Sequence, residues 1–325
     1  MKIQIKSLRA VNCGPLKDVN IDFTTNGEPR PITLLAGANG SGKTTVLELI
    51  FSLASRVVVG QVGKSEHTAL TIAEYAQLDI SVDLSTVSIV KASPDGHKEL
   101  PPNVIRYTSD LKHPREISGG ATAQLRTAIA TQLGKSIDDA DAFLQVGDII
   151  YFPRLRETIG YEGDGVTRFS EEYEWVVRYE PAARYATSID GYLVWLDYAD
   201  PERFNKTIQF LNSLNLDGKT FSVSRKALKA VVTTQDGSKH GLSDLSSGEQ
   251  SVLEMLLELH RRLLPDSIVL IDEIENSLHP AFQHKLGIAL KKLQQEIPFQ
   301  LIATSHSREF LKIFGPENTL ILTEF

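Results

Sequence analysis

Cysteine is nearly absent from this chain: Cys13 is the only one in 325 residues. A single thiol excludes a disulfide framework within the chain, removes cysteine-based zinc clusters, and suits a cytosolic setting. Long apolar runs are missing as well. The longest, Leu47 to Val59, is interrupted by Glu48 and Arg56 and falls short of membrane length, so no membrane association is expected. There is no basic excess: 34 Lys and Arg stand against 41 Asp and Glu, a net charge of −7. That argues against a protein that coats nucleic acid, although a local basic groove would not register in the total. Sustained heptads are lacking, which excludes long coiled-coil arms. The opening Met1-Lys2-Ile3-Gln4-Ile5-Lys6 alternates like a strand instead of reading as a targeting peptide, so a cytoplasmic location is expected.

What remains is the composition of an enzyme or enzyme-like module. Hydrophobic residues make up 42% of the chain, enough for a sizeable core. At this length a single α/β head with an insertion fits as well as two domains.

The strongest feature is Gly37-Ala38-Asn39-Gly40-Ser41-Gly42-Lys43-Thr44, followed by Thr45, between an apolar strand-like run (Ile32 to Ala36) and an apolar helix-like run (Val46 to Ala54). Glycines let such a loop turn its N–H groups toward phosphate oxygens. Lys43 brings a cation to the terminal phosphates, and the Thr44 hydroxyl suits a magnesium shell. The helix starting near Gly42 adds the positive end of its dipole. The candidate nucleotide-binding residues are therefore Gly37, Asn39, Gly40, Ser41, Gly42, Lys43, Thr44 and Thr45.

Three later stations add chemistry. Ser267 to Ile271 is an apolar run ending in Asp272-Glu273. Such a run belongs inside a parallel sheet, whose carboxyl edge binds ligands. Asp272 is thus a candidate for magnesium, with Thr44, and Glu273 for orienting or deprotonating an attacking water. Leu301 to Thr304 is a second short buried strand, leading through Ser305 to His306, a candidate γ-phosphate sensor against the alternative of a structural histidine. Finally, Leu245-Ser246-Ser247-Gly248-Glu249-Gln250 opens an apolar helix that stops before Pro265. Ser247 with Gln250 reads as a capping box, and a serine-glycine helix start is also an anion-binding terminus.

In this order the four stations resemble those of an ABC-type ATPase: Walker A at Gly37 to Thr44, signature at Leu245 to Gln250, Walker B at Ile268 to Glu273, and switch histidine at His306. Glu275-Asn276-Ser277-Leu278-His279-Pro280 is similar to the D-loop of the non-transporter branch, which includes SMC and RecF heads, OLD-family ATPases and ATPases of bacterial anti-phage systems such as Septu. Ile5 to Phe23 looks like the opening strands of those heads. The resemblance covers roughly residues 1–60 and 240–325 with specific motifs. It implies an α/β head with a mostly parallel central sheet, a small antiparallel sheet and a helical insertion.

The middle is less telling. Leu78 to Leu84 and Thr86 to Ala92 alternate like two strands, ended by the turn Ser93 to Gly96. Gly119 to Leu144 reads as a polar helix or insertion, and Pro201 to Leu216 as an amphipathic helix using Phe204, Ile208 and Leu211. Asn103 to Tyr107 and Asp148 to Arg154 each read as a short apolar strand ending in aromatic and basic residues. Either is expected near the family's Q-loop, yet neither carries its glutamine. Arg154 and Arg156 are expected to meet phosphate, a partner or solvent.

The resulting expectation is one ATPase domain over 1–325 with a mainly helical insertion at roughly 110–240. The resemblance implies ATP and magnesium as ligands and a head-to-head homodimer in which Ser246 and Gly248 of one copy complete the site of the other. Glu273 and His306 would be catalytic. With only about nineteen residues after His306, the expected output is a separate effector, a nuclease in anti-phage defence or DNA repair; direct nucleic-acid binding stays open. A clamp or sensor that does not turn ATP over, or a transporter subunit, are the alternatives.

Overall fold

The computed structural model describes residues 1–58, 68–91, 102–107, 114–136, 146–154, 172–179 and 189–322. The turn expected at 93–96, the run 137–144 and Arg156 lie outside them.

Strand β1 (Ile3–Cys13) turns back into β2 (Leu16–Asp22), and a two-residue ribbon, β3 (Thr24–Thr25) with β4 (Glu28–Pro29), leads to β5 (Ile32–Gly37). Helix α1 (Lys43–Ala54) follows the glycine loop, then the short α2 (Thr68–Ile72). The alternating runs become β6 (Tyr75–Val82) and β7 (Ser85–Lys91), whose burial alternates along β6 as a half-buried strand requires. They do not stand alone. With β8 (Val104–Tyr107) and β9 (Pro114–Ser118) they extend β1 and β2 into a six-stranded sheet, antiparallel except for the β7–β8 pair.

Helix α3 (Gly120–Gln132) buries Leu125 and Ile129 against this sheet's core. Strands β10 (Ile149–Phe152) and β11 (Val176–Arg178) come next, then α4 (Ile189–Ala199) and α5 (Pro201–Ser213). Helix α5 is capped by the Asp200 carboxylate, which accepts the Arg203 N–H at 3.0 Å, and Pro201 sits where a missing N–H costs nothing. A three-stranded sheet, β12 (Thr220–Ser224), β13 (Lys229–Thr233) and β14 (Lys239–His240), precedes α6 (Ser247–Arg262). Then β15 (Ser267–Ile271), α7 (Pro280–Glu296), β16 (Phe299–Thr304), α8 (Arg308–Phe314) and β17 (Thr319–Leu322) complete the described chain.

The second six-stranded sheet has the order β11-β10-β15-β16-β5-β17, with every neighbouring pair parallel. Strands β10, β15 and β16 are buried along their whole length, which explains their unbroken apolar character. On one face α1, buried through Val46, Leu47, Ile50 and Leu53, shares a core with the antiparallel sheet. On the other, α4 to α8 and the three-stranded sheet form a second core. The Gln300 side chain joins the two sheets, accepting the Ile5 N–H at 2.6 Å and donating to the Ile5 carbonyl at 3.0 Å.

The stretch 110–240 differs from a mainly helical insertion. Its strands β10 and β11 lie inside the central sheet, with Ile149 to Phe152 registered against Ile268 to Ile271. The short strand expected at Asp148 to Arg154 is found at Ile149–Phe152, but so short an apolar run carries no pattern that says which sheet it joins. Helix α5 ends at Ser213, three residues before Leu216. Among the described residues no helix is long and apolar enough to cross a membrane.

Candidate functional site

Because every strand of the central sheet runs the same way, the ends of β5, β10, β15 and β16 meet at one edge. The glycine loop leaves β5 there. Gly42 has φ 91°, and a β-carbon on it would stand 2.4 Å from Leu16 Cδ2; a β-carbon on Gly37 would stand 2.4 Å from the Leu322 carbonyl of β17. Glycine is the residue both positions admit. Asn39 and Gly40 are exposed at the loop, Thr45 is half-buried, and Ser41 is buried with no hydrogen-bond partner for its Oγ.

Lys43 is buried, and its Nζ donates to the carbonyls of Gly37 at 3.0 Å and Ala38 at 2.8 Å. Burial pushes its pKa down, while the nearby charges of Asp272, Glu273 and Glu275 push it back up. The lysine thus shares one electrostatic neighbourhood with the acids at the end of β15.

Asp272 receives two hydroxyls: Thr44 Oγ1 donates to its Oδ2 at 2.9 Å, and Thr304 Oγ1 to its Oδ1 at 2.6 Å. A loop hydroxyl and a carboxylate in contact form a hard oxygen set that fits magnesium, which takes one or two carboxylates together with phosphate oxygens and water. Glu273 adopts φ 43°, its N–H donates to Thr304 Oγ1 at 2.7 Å, and its Oε2 lies 3.0 Å from Arg154 Nε. The Arg154 carbonyl accepts Asn276 Nδ2 at 2.8 Å. His306 is exposed, and its backbone N–H donates to Glu275 Oε1 at 2.5 Å. His279 caps α7, with Pro280 in its first turn.

Of the two candidates for the Q-loop strand, β10 reaches this edge and β8 lies in the other sheet. At its end β10 carries an arginine. Behind it, Tyr151 donates to Glu48 Oε1 at 3.0 Å and Arg178 binds both oxygens of Glu48 at 2.9 and 3.1 Å, tying α1 to β10 and β11. Neither Thr304 nor this cluster is marked by a motif in the sequence. The one signal is position: Thr304, Tyr151 and Arg178 lie at or next to the last residue of a short apolar strand, while Glu48 sits within α1.

The signature segment needs a correction. The capping box is Ser246 with Glu249, not Ser247 with Gln250: Glu249 Oε2 accepts the Ser246 N–H at 3.0 Å, and Ser246 Oγ accepts the Glu249 N–H. Ser246 is extended whereas Ser247 is already helical, and the backbone chooses between two overlapping patterns. Lys219, the residue before β12, holds the buried Glu249 at 2.5 Å. A β-carbon on Gly248 would lie 3.4 Å from the Phe282 ring and 3.7 Å from the Ser277 carbonyl. Among the described residues no hydrogen bond links Ser246 or Gly248 to the phosphate loop of the same chain.

This combination of parallel sheet, phosphate loop and acid-ended strand defines an ABC-type ATPase head. A family model described as "AAA domain, putative AbiEii toxin, Type IV TA system" matches residues 32–312, and the chain belongs to that family. It is similar to the Septu protein PtuA of Bacillus thuringiensis, 24% identical over 324 aligned positions that cover 93% of this chain and 72% of that protein. It is also similar to the probable ATPase of retron Ec83 of Escherichia coli, 35% identical over 89 residues, 24% of this chain and 16% of that one. The fold matches the SMC head domain from Thermotoga maritima, with a TM-score of 0.50 at 14% identity, covering 95% of this chain and 92% of that one. An SMC head bound to the C-winged helix domain of ScpA gives a TM-score of 0.51 at 11% identity with the same coverage. The resemblance to ABC-type heads of anti-phage defence families therefore stands.

Proposed function

We propose that this chain binds ATP with magnesium, hydrolyses it, and closes head to head with a second copy around the nucleotide. The observation that carries the reading is the continuous link from Thr44 through Asp272 to Thr304, which joins the phosphate loop to the acid-ended strand and the histidine-bearing strand. Thr44 and Asp272 would hold the magnesium, which supplies charge neutralisation on the phosphates. Lys43 would bind the terminal phosphates, with Gly37, Asn39, Gly40, Ser41, Gly42 and Thr45 around them. Glu273 would orient or deprotonate the attacking water, and His306 would contact the γ-phosphate. In-line attack then relies on positioning and charge stabilisation. Ser246 and Gly248 would act on the other copy's nucleotide: the helix start is exposed at Ser246, with no bond to its own phosphate loop among the described residues.

The output we propose is control of a separate effector, a nuclease in anti-phage defence, within the cytoplasm. Support comes from the Septu and retron relatives. Steady-state phosphate release by the wild type, Glu273→Gln and Lys43→Ala tests the enzyme: loss of turnover in both variants is expected, and turnover retained in both refutes it. Mass spectrometry of proteins that co-purify with the native chain tests the effector. Cleavage of DNA or RNA by the pure protein, surviving Lys43→Ala, would instead place the nuclease in this chain. A second reading, a clamp that holds ATP unhydrolysed, is favoured by the Arg154–Glu273 pair; the same assay separates it, because a clamp binds ATP and releases no phosphate.

A further inference from the structure

Arg154 is tied twice to the loop that follows β15. Its Nε pairs with Glu273 Oε2 at 3.0 Å, and its carbonyl holds Asn276 at 2.8 Å. The two sides of the ion pair differ in environment: the Arg154 side chain is 63% exposed and that of Glu273 only 20%. The carboxylate lies inside the site, and the guanidinium reaches it from the solvent side. An ion pair with so exposed a partner is weak, so a stronger acceptor displaces it readily.

The terminal phosphate of a bound triphosphate would be such an acceptor. Lys43 already feels the charges of Asp272, Glu273 and Glu275, so a phosphate on Lys43 would lie within range of the same carboxylates. Phosphate and Glu273 would repel each other, and a cation between them would lower that cost. A guanidinium suits this place because its planar fork matches phosphate oxygens in pairs and stays charged. The Asn276 bond anchors the Arg154 backbone while the exposed side chain remains able to change partners.

We propose that Arg154 exchanges partners with the nucleotide state, holding Glu273 Oε2 in the absence of a γ-phosphate and moving to the γ-phosphate when ATP binds. Glu273 is then released to act on water only when there is a phosphate to attack. ADP lacks the group that draws Arg154 away, so the pair persists. The inference rests on the ATPase reading above.

Calorimetry with a non-hydrolysable ATP analogue and with ADP, each with magnesium, tests it. Arg154→Ala should weaken the analogue about tenfold, the scale of one charge-assisted contact less the pair given up, and leave ADP unchanged. Arg154→Lys should restore part of the loss. Glu273→Gln removes both the competing acceptor and the repulsion of the phosphate, and the repulsion is relieved with or without Arg154. The exchange is therefore read as the difference between the Glu273→Gln effects in wild type and in Arg154→Ala, a double-mutant cycle in which zero coupling would overturn it. Equal effects of Arg154→Ala on analogue and ADP, or none on either, would overturn the exchange. Failure of the wild type to bind either nucleotide, or undiminished binding by Lys43→Ala, would instead overturn the ATPase reading.

Discussion

The Thr304 hydroxyl donates to Asp272 Oδ1 at 2.6 Å, a buried bond between the ends of two neighbouring parallel strands. The same oxygen accepts the Glu273 N–H at 2.7 Å, so one side chain sets the orientation of the metal candidate and the backbone of the base candidate. Thr304→Val keeps the shape and removes both bonds. A group supporting a metal-binding carboxylate is typically worth about 10–100-fold in metal affinity or activity. Phosphate release at saturating ATP should therefore fall by about tenfold or more, with a raised magnesium requirement. An unchanged magnesium titration would show that Asp272 is held well enough without Thr304.

Gly42→Ala tests the phosphate loop by geometry and leaves its charge alone. The position needs φ 91°, and a β-carbon would be driven to 2.4 Å from Leu16. The left-handed conformation alone costs an L-residue about 1–2 kcal/mol, before the leucine moves. The expected variant melts lower than the wild type and binds ATP more weakly, by thermal unfolding and calorimetry together. Normal affinity would mean that the loop accommodates the methyl group by shifting β2.

How legible the site was depends on whether its parts are contiguous in sequence. Gly37 to Thr44, Asp272-Glu273 and His306 each follow a short apolar run, and motif plus strand suffices to place them. Arg154 was not readable in this way. Its partner follows from β10 lying beside β15, and four buried residues at Ile149–Phe152 do not announce their neighbours. Ser246 and Ser247 each begin a serine pattern with an acid or amide three residues on, so local chemistry was degenerate and the turn before α6 decided the register. The antiparallel sheet was underestimated for a related reason: β8 and β9 are short strands added at its edge.

Acid should weaken the fold partly through His260. The ring stacks on Phe210 with centroids 5.1 Å apart and sits 3.4 Å from Thr207 Oγ1, and burial, with Arg203 nearby, pushes its pKa down to about 4. A pKa depressed in the folded state favours unfolding once the unfolded chain takes up the proton. The stability is therefore fully present above pH about 6.5 and is lost as pH falls toward 4. At 1.36 kcal/mol per unit the loss is about 3 kcal/mol. Denaturant titrations of the wild type and His260→Phe between pH 4 and 7 check this, since the variant should lose less stability over that window. Asp148, raised to about 6 by burial, changes in the opposite sense over part of the same range, but it is common to both proteins and cancels in the comparison.

The proposed composite site makes the strongest demand on a second copy. Ser246 is exposed at the start of α6, held in shape by Glu249, which Lys219 in turn fixes from just before β12. Ser246→Arg would place a long cation where a partner's phosphates are expected to dock, leaving the phosphate loop of its own chain untouched. ATP binding by isolated chains should remain near wild type in calorimetry, while ATP-driven association, followed by sedimentation, and phosphate release should both be lost. Mixing Ser246→Arg with Lys43→Ala sharpens the test. A heterodimer of the two has one defective site carrying both lesions and one site carrying neither, so mixing should restore some turnover to two proteins that have none alone. Normal hydrolysis by Ser246→Arg as a monomer would mean that each head completes its own site.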